Sequence, residues 1–156
     1  GSLWHYLARH DLVGRVVWSR APLDDPAADV FVEPRLLHSQ DLEGSWWRVV
    51  DVKTALEQRG YDVEGSLVLA ITGDELAPWN SGRWRLDVGP DGAGVQATDA
   101  PADIELSVRA LSSLYSGHRS ARHLANAGLL AGEALTVANL DRMMRTRFAP
   151  HCPDHY

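Results

Sequence analysis

Four short strand-like segments follow one another between residues 66 and 108. They read SLVLAIT (66–72), GRWRLDV (82–88), GAGVQAT (92–98) and ADIELSV (102–108), and turns rich in Gly, Pro and Asn separate them. Apolar and β-branched residues in short runs bounded by turn residues predict strands. In RWRLDV, Trp84, Leu86 and Val88 alternate with charged residues, so the sheet has one buried and one wetter face. Helical patterns precede and follow this block. An order of helix, strands, helices predicts an α+β fold, not an alternating parallel sheet.

The flanks carry their own signals. Apolar residues at 3, 4, 6 and 7 predict a short helix over 3–10. RVVWSR (15–20) and DVFVEP (29–34) read as strands, as does SWWRVVDV (45–52), and the proline-bounded APLDDPAA between the first two reads as a loop. Asp51 is placed to cap the helix VKTALEQR, and Gly60 to end it in a left-handed conformation. In the last third, RALSSLY ends at Gly117. Ser120 caps ARHLANA, Gly128 stops it, and Leu129 is available for the apolar contact after a helix end. Thr136 caps VANLDRMMRTRF, whose Val137, Leu140 and Met144 share one face.

Charge and composition exclude several classes. The 156 residues are 45% hydrophobic and 23% charged, enough for a folded core. A net charge of −6 with scattered basic residues argues against nucleic acid and anionic membranes, and leaves cations as the natural partners. A single cysteine, Cys152, forbids an intrachain disulfide. No signal peptide or membrane-length apolar run is present, so the expected location is the cytoplasm. Gly1-Ser2 reads as a cloning scar, and LWHYLARHDLV begins as a helix from the middle of a larger protein would.

The closing PHCPDHY (150–156) concentrates His151, Cys152, Asp154 and His155. A zinc site needs four converging ligands, usually as two pairs from separate segments. His151 and Cys152 are adjacent and stiffened by Pro153, and the second pair would have to come from His118 and His123, so no metal is expected. The sequence names no Cys–His pair with an orienting third group, so Cys152 is not expected to be a nucleophile. The glycine-rich GPDGAG (89–94) lies between two strands and reads as a hairpin turn, not a phosphate cradle. Six tryptophans fit a core or interface, with Trp79 or Trp84 as candidates to line a ligand cavity. On residues alone, the tail is an ordered end packed by Phe148 and Tyr156, or a frayed one.

Taken in order, WWRVVDVKTALEQRGY, GSLVLAIT, WNSGRWRLDV, ADIELSVRALSSLYSGHRSARHLANAGLL and LDRMMRTRFAPHCPDHY resemble the C-terminal region of the enhanced intracellular survival (Eis) family. Those proteins are N-acetyltransferases with two acetyltransferase-like (GNAT) domains followed by a domain shaped like sterol carrier protein 2. The resemblance assigns residues 46–156 to the sterol carrier protein 2-like domain and 3–45 to the tail end of the second GNAT-like domain. It implies acetyl-CoA as co-substrate, held in a domain outside this sequence, so that this fragment alone is inactive. It also implies a cationic amine substrate of aminoglycoside or polyamine type and a homo-oligomeric, hexameric parent.

In that family the chain terminus enters the substrate pocket, where its α-carboxylate helps remove the proton from the substrate amine. The matching group here is the α-carboxylate of Tyr156, with Asp154 adding negative potential and His155 titrating beside it. The family more often ends in phenylalanine, so the Tyr156 phenol adds a polar group to an apolar contact. The tyrosine expected as general acid lies elsewhere, since none of Tyr6, Tyr61 and Tyr115 matches it. Two rivals stand beside this reading: a lipid carrier with an apolar tunnel, and a pure assembly module.

Overall fold

The computed structural model describes residues 2–154. They form two compact units, one made by the chain up to Ser45 together with the segment from Ala149 onward, the other by Trp46–Phe148.

The larger unit is a five-stranded mixed sheet with helices packed on it, an α+β fold as expected. Its strands are β1 (Gly65–Thr72), β2 (Gly82–Gly89), β3 (Gly92–Ala97), β4 (Ile104–Ser107) and β5 (Leu130–Gly132), in spatial order β3-β2-β1-β4-β5. β1 to β3 form an antiparallel meander, and the two-residue turn Pro90-Asp91 closes its second hairpin with Gly89 opposite Gly92. β4 then pairs parallel with the other side of β1. Reaching that side means crossing three strand spacings, about 14 Å. Residues 98–103 suffice, because six extended residues reach about 20 Å. Asp103 pins the arrival: its N–H donates to Val68 O at 2.9 Å and its carboxylate accepts from Val68 N at 2.7 Å.

One face of the sheet presents Leu67, Leu69, Ile71, Leu86, Val88, Val95, Ile104, Leu106 and Leu130 to the helices. On the other face the register sets Val68 beside Arg85 and Ala70 beside Arg83 and Glu105, where long charged side chains cover small apolar ones with their stems. The alternation read from RWRLDV holds: Leu86 and Val88 are buried and Arg83, Arg85 and Asp87 exposed.

The helices α3 (Val52–Gln58), α4 (Val108–Tyr115), α5 (Ala121–Asn126) and α6 (Ala134–Met143) complete the unit. Asp51 caps α3 as expected, accepting from Thr54 N at 2.7 Å. Ser107 and Ser120 do the same for α4 and α5. Gly117 and Gly128 turn with positive φ after their helices. Two expectations fail at helix ends. Gly60 is not left-handed; α3 stops one residue earlier, at the extended Arg59. The guanidinium of Arg59 donates to Tyr115 O (2.7 Å) and Met144 O (2.8 Å) and lies over the Tyr115 ring at 5.4 Å. That anchorage at the C-terminal ends of α4 and α6, where carbonyls lack intrahelical donors, decides where the chain turns. Thr136 is likewise not a cap: α6 begins at Ala134 behind Glu133, because β5 ends at Gly132 and the good helix formers Ala134 and Leu135 follow at once. The side chain of Leu129 stays half exposed, although its N–H bonds Leu124 O at 2.9 Å.

The segment SWWRVVDV is not a strand. Trp46 is 82% exposed, and the backbone from 48 to 52 is held by side chains instead of a neighbouring strand. Val49 N donates to Ser112 Oγ (2.9 Å), Val52 N to Asn80 Oδ1 (2.9 Å), and Asn80 Nδ2 to Val50 O (3.0 Å). Behind Asn80 sits Asp74, whose buried carboxylate accepts from Arg48 Nη2 at 2.5 and 2.6 Å, from Asn80 Nδ2 at 2.8 Å and from Ala77 N at 3.0 Å. At the sheet's outer margin, Glu57 of α3 accepts from Val95 N of β3 at 3.4 Å.

The smaller unit contains α1 (Ser2–Leu7), the single turn α2 (Ala27–Val30) and a 3₁₀ turn over Pro34–Leu37. RVVWSR and DVFVEP are not strands: 15–18 is irregular, and 27–30 is helical. A strand needs a pleated neighbour to hydrogen-bond and pack against, and none lies among the described residues of this unit. Its aromatics meet one another, Trp4 standing edge-to-face with Phe31 at 5.3 Å and tilted against Trp18 at 6.0 Å.

Two tests follow from these contacts. The donors of Arg48, then of Asn80, hold the Asp74 carboxyl below the usual aspartate range. A lowered folded-state value means the stabilisation is complete above the unfolded value, about 3.9, and is lost as pH falls through the folded one. Asp74→Asn should therefore lower the melting temperature at pH 7, and thermal scans should find the gap to the wild type closing below about pH 4. Arg59→Leu leaves the carbonyls of Tyr115 and Met144 without their donor, and urea unfolding should register a loss of about 2–3 kcal/mol.

Candidate functional site: the C-terminal segment

Beyond α6 the chain passes Met144 and Arg145, whose carbonyls Arg59 holds, and turns at Thr146, whose hydroxyl donates to Phe148 O at 3.0 Å. Gly117 makes room for that turn, since a Cβ there would stand 2.0 Å from Thr146 Oγ1. Phe148, expected from the sequence to pack the end of the chain, is not a buried residue. It is 67% exposed, with Arg147 stacked over its ring at 5.0 Å.

From Ala149 to Asp154 the chain has no regular structure, in keeping with the prolines at 150 and 153. It is held nevertheless. Ala149 N donates to Asp24 Oδ2 at 3.1 Å, and the Arg20 guanidinium donates to the carbonyl oxygens of Pro153 and Asp154. Asp154 is exposed at the end of this held stretch. His155 and Tyr156, the other two residues named from the sequence, lie outside the described residues. Arg20 and Asp24 carried no signal of a role in the sequence. One ends the supposed strand RVVWSR and the other stands in the proline-bounded loop.

The remaining candidates are more plainly structural. Among the described residues no group of three or more His, Cys, Asp or Glu could hold a metal ion. His118 belongs to the turn after α4, its N–H donating to Ser113 O. Partial burial, then the charges of Arg119 and His123, push its pKa down and favour the neutral ring. Trp79 and Trp84 border an open groove of about 420 Å³ with Ser81, Arg83, Thr98 and Asp99. Their indole N–H groups are committed to Val50 O (3.1 Å) and Asn80 O (3.0 Å). The glycine-rich turn 89–94 edges a second open groove, of about 740 Å³, whose ionisable lining is Glu57, Glu64 and Asp91. Three carboxylates repel phosphate, and the turn joins two strands instead of opening a helix. The residues of this groove therefore do not fit the pyrophosphate of a coenzyme A. Tyr61 is buried, its hydroxyl donating to Leu56 O at 2.9 Å, and burial pushes it up to about 12. It is a core residue whose hydroxyl is committed to Leu56 O and is a weak acid at neutral pH.

Comparison with known proteins places this arrangement. The sterol carrier protein domain family matches residues 52–153. An uncharacterized N-acetyltransferase of Streptomyces avermitilis is 38% identical over 99% of this chain and 37% of its own length. The N-acetyltransferase Eis of Mycobacterium tuberculosis is 34% identical over 83% of this chain and 31% of its own. The crystal structure of Eis1 from Mycobacterium abscessus superposes with a TM-score of 0.82 at 29% identity, over 99% of this chain and 39% of that one. The chain thus spans roughly a third of the length of the relatives it matches. It belongs to the sterol carrier protein domain family, in the form carried by the Eis N-acetyltransferases.

Proposed function

We propose that this chain is the C-terminal part of an acetyl-CoA-dependent N-acetyltransferase acting on amines, and that it supplies the terminal carboxylate of the active site. One observation carries the reading: relatives named as N-acetyltransferases align with nearly all of the chain, the smaller unit included. An isolated sterol carrier domain would account only for residues 52–153. Acetyl-CoA belongs to a domain outside this sequence, in keeping with the poor fit of the acidic, glycine-rich groove to phosphates.

Where Tyr156 ends the parent chain, its α-carboxylate has an ordinary pKa of about 3.3–3.7 and is anionic at neutral pH. It attracts the substrate ammonium and accepts the proton that the amine must lose before attacking the acetyl carbonyl. Asp154 adds a second negative charge, and His155, between the two, is a further candidate to contact the substrate. A polycation of aminoglycoside or polyamine type is the substrate class that such a cluster suits. The parent assembles as a homo-oligomer, hexameric by family resemblance, and residues 46–156 form its sterol carrier-like domain behind a remnant of a GNAT-like domain at 3–45. The name of the matched family keeps lipid carriage as the rival reading.

The test is thiol release from acetyl-CoA by the full-length parent with an aminoglycoside or polyamine. Deleting Tyr156, or adding one glycine after it, should lower kcat by roughly a hundredfold to ten-thousandfold with folding intact. Full rate in both altered proteins sinks the catalytic carboxylate. A parent inactive on every amine that purifies with bound fatty acid or sterol favours the lipid carrier.

A further inference from the structure

Large apolar side chains stand in water where the chain enters the larger unit. Beside the exposed Trp46, Val50 is 64% exposed, Leu76 81% and Trp79 60%. They belong to two stretches, the entry segment and the β1–β2 connection, and these are tied together. Trp79 Nε1 and Asn80 Nδ2 both donate to Val50 O, at 3.1 and 3.0 Å. The surface is thus held in place before anything meets it, which keeps the ordering cost of an encounter low. The charged groups at its base, Arg48 and Asp74, are paired with each other. Alongside Trp79 runs the open groove of about 420 Å³, with Ser81, Thr98 and Asp99 as a polar margin. A recess beside fixed aromatics, with polar groups around it, is the anatomy of an interface. One exposed apolar residue is ordinary; several on one rigid surface mark a place where another surface docks.

We propose that this surface docks against the acetyltransferase part of the same parent chain. The inference rests on the reading of this chain as the C-terminal part of a longer N-acetyltransferase. Length supports that occupant. A relative that aligns with 99% of this chain is matched over only 37% of its own length, so most of such a parent lies outside this sequence. Tethering supports it too. A domain of the same chain faces the surface at an effective concentration on the order of millimolar, whereas a second copy meets it only at its free concentration. The covering domain therefore wins unless a second copy binds far more tightly. Interfaces between domains of one chain are more polar than those of obligate dimers, which suits a patch so closely edged by hydroxyls and a carboxylate.

The experiment uses the full-length parent and a matched pair of positions. Leu76 and Leu135 are each 81% exposed in this chain, so both can be changed without disturbing the core. Leu76→Cys and Leu135→Cys are alkylated in separate parent proteins, and mass spectrometry follows the rate at each peptide. Leu76→Cys should react about tenfold or more slowly than Leu135→Cys, because its reaction waits for the domains to part. Equal rates overturn the docking. A photo-reactive p-benzoylphenylalanine in place of Leu76 then identifies what lies against it. The expected product has the mass of one chain, with the cross-linked peptide outside these 156 residues. A product of two chains' mass makes a second copy the occupant, and a cross-link within the 156 residues makes it this sequence itself; either overturns the proposal. Neither readout measures acetyl transfer, so failure here leaves the catalytic reading standing, and an inactive parent leaves the docking to be decided by the cross-link.

Discussion

The carboxylate of Asp74 is the point on which the larger unit turns. It sits just after β1 with the guanidinium of Arg48, the amide of Asn80 and the N–H of Ala77 all directed at it. A buried carboxylate is tolerated only when its acceptor sites are filled by donors, and here the donors come from two stretches of chain, the entry segment at Arg48 and the β1–β2 connection at 77–80. Their convergence orders the β1–β2 connection, and Asn80, oriented by Asp74, then hands its own carbonyl to Val52 N at the start of α3. An irregular entry segment with no strand partner is thereby fixed against the sheet. Without this network residues 48–52 have no regular structure to hold them, and α3 loses the anchorage of its first turn.

Arg59 is the counterpart at the other end of α3. One side chain satisfies carbonyls at the ends of two other helices and stacks on an aromatic ring. The two polar clusters thus bracket a helix whose apolar residues, Val52 and Leu56, are fully buried. Apolar burial supplies the driving force, while the polar groups determine where each connection goes. The same division holds in the smaller unit, where none of the described tail residues 149–154 is buried and the tail's main chain is held by Asp24 and Arg20.

How much of this could be read from the residues follows from that division. The strands around Leu69, Leu86, Val95 and Ile104 were legible because alternation and turn residues are local signals, and so were the caps at Asp51 and Ser120. RVVWSR and SWWRVVDV misled, since β-branched and aromatic composition registers only when a neighbouring strand exists to receive it. Gly60 misled because the true stop depends on Arg59 finding carbonyls more than fifty residues away. β5, three residues long, was too short to leave a pattern, and its position depends on Gly132 lying where a Cβ would stand 2.4 Å from Ile104. At the candidate site, Asp154 was named by composition, whereas Arg20 and Asp24 are brought to it from more than 120 residues away. No local rule reaches that far.

The contact between Glu57 and Val95 N has a consequence for association. An edge strand with free N–H groups is a template on which another chain can add a strand. β3 is such an edge, but α3 lies against it and fills one of its donors with a carboxylate. The opposite edge, β5, offers only three residues, one of them glycine. Strand addition between copies of this domain is therefore hindered at both margins, by a helix at one and by shortness at the other.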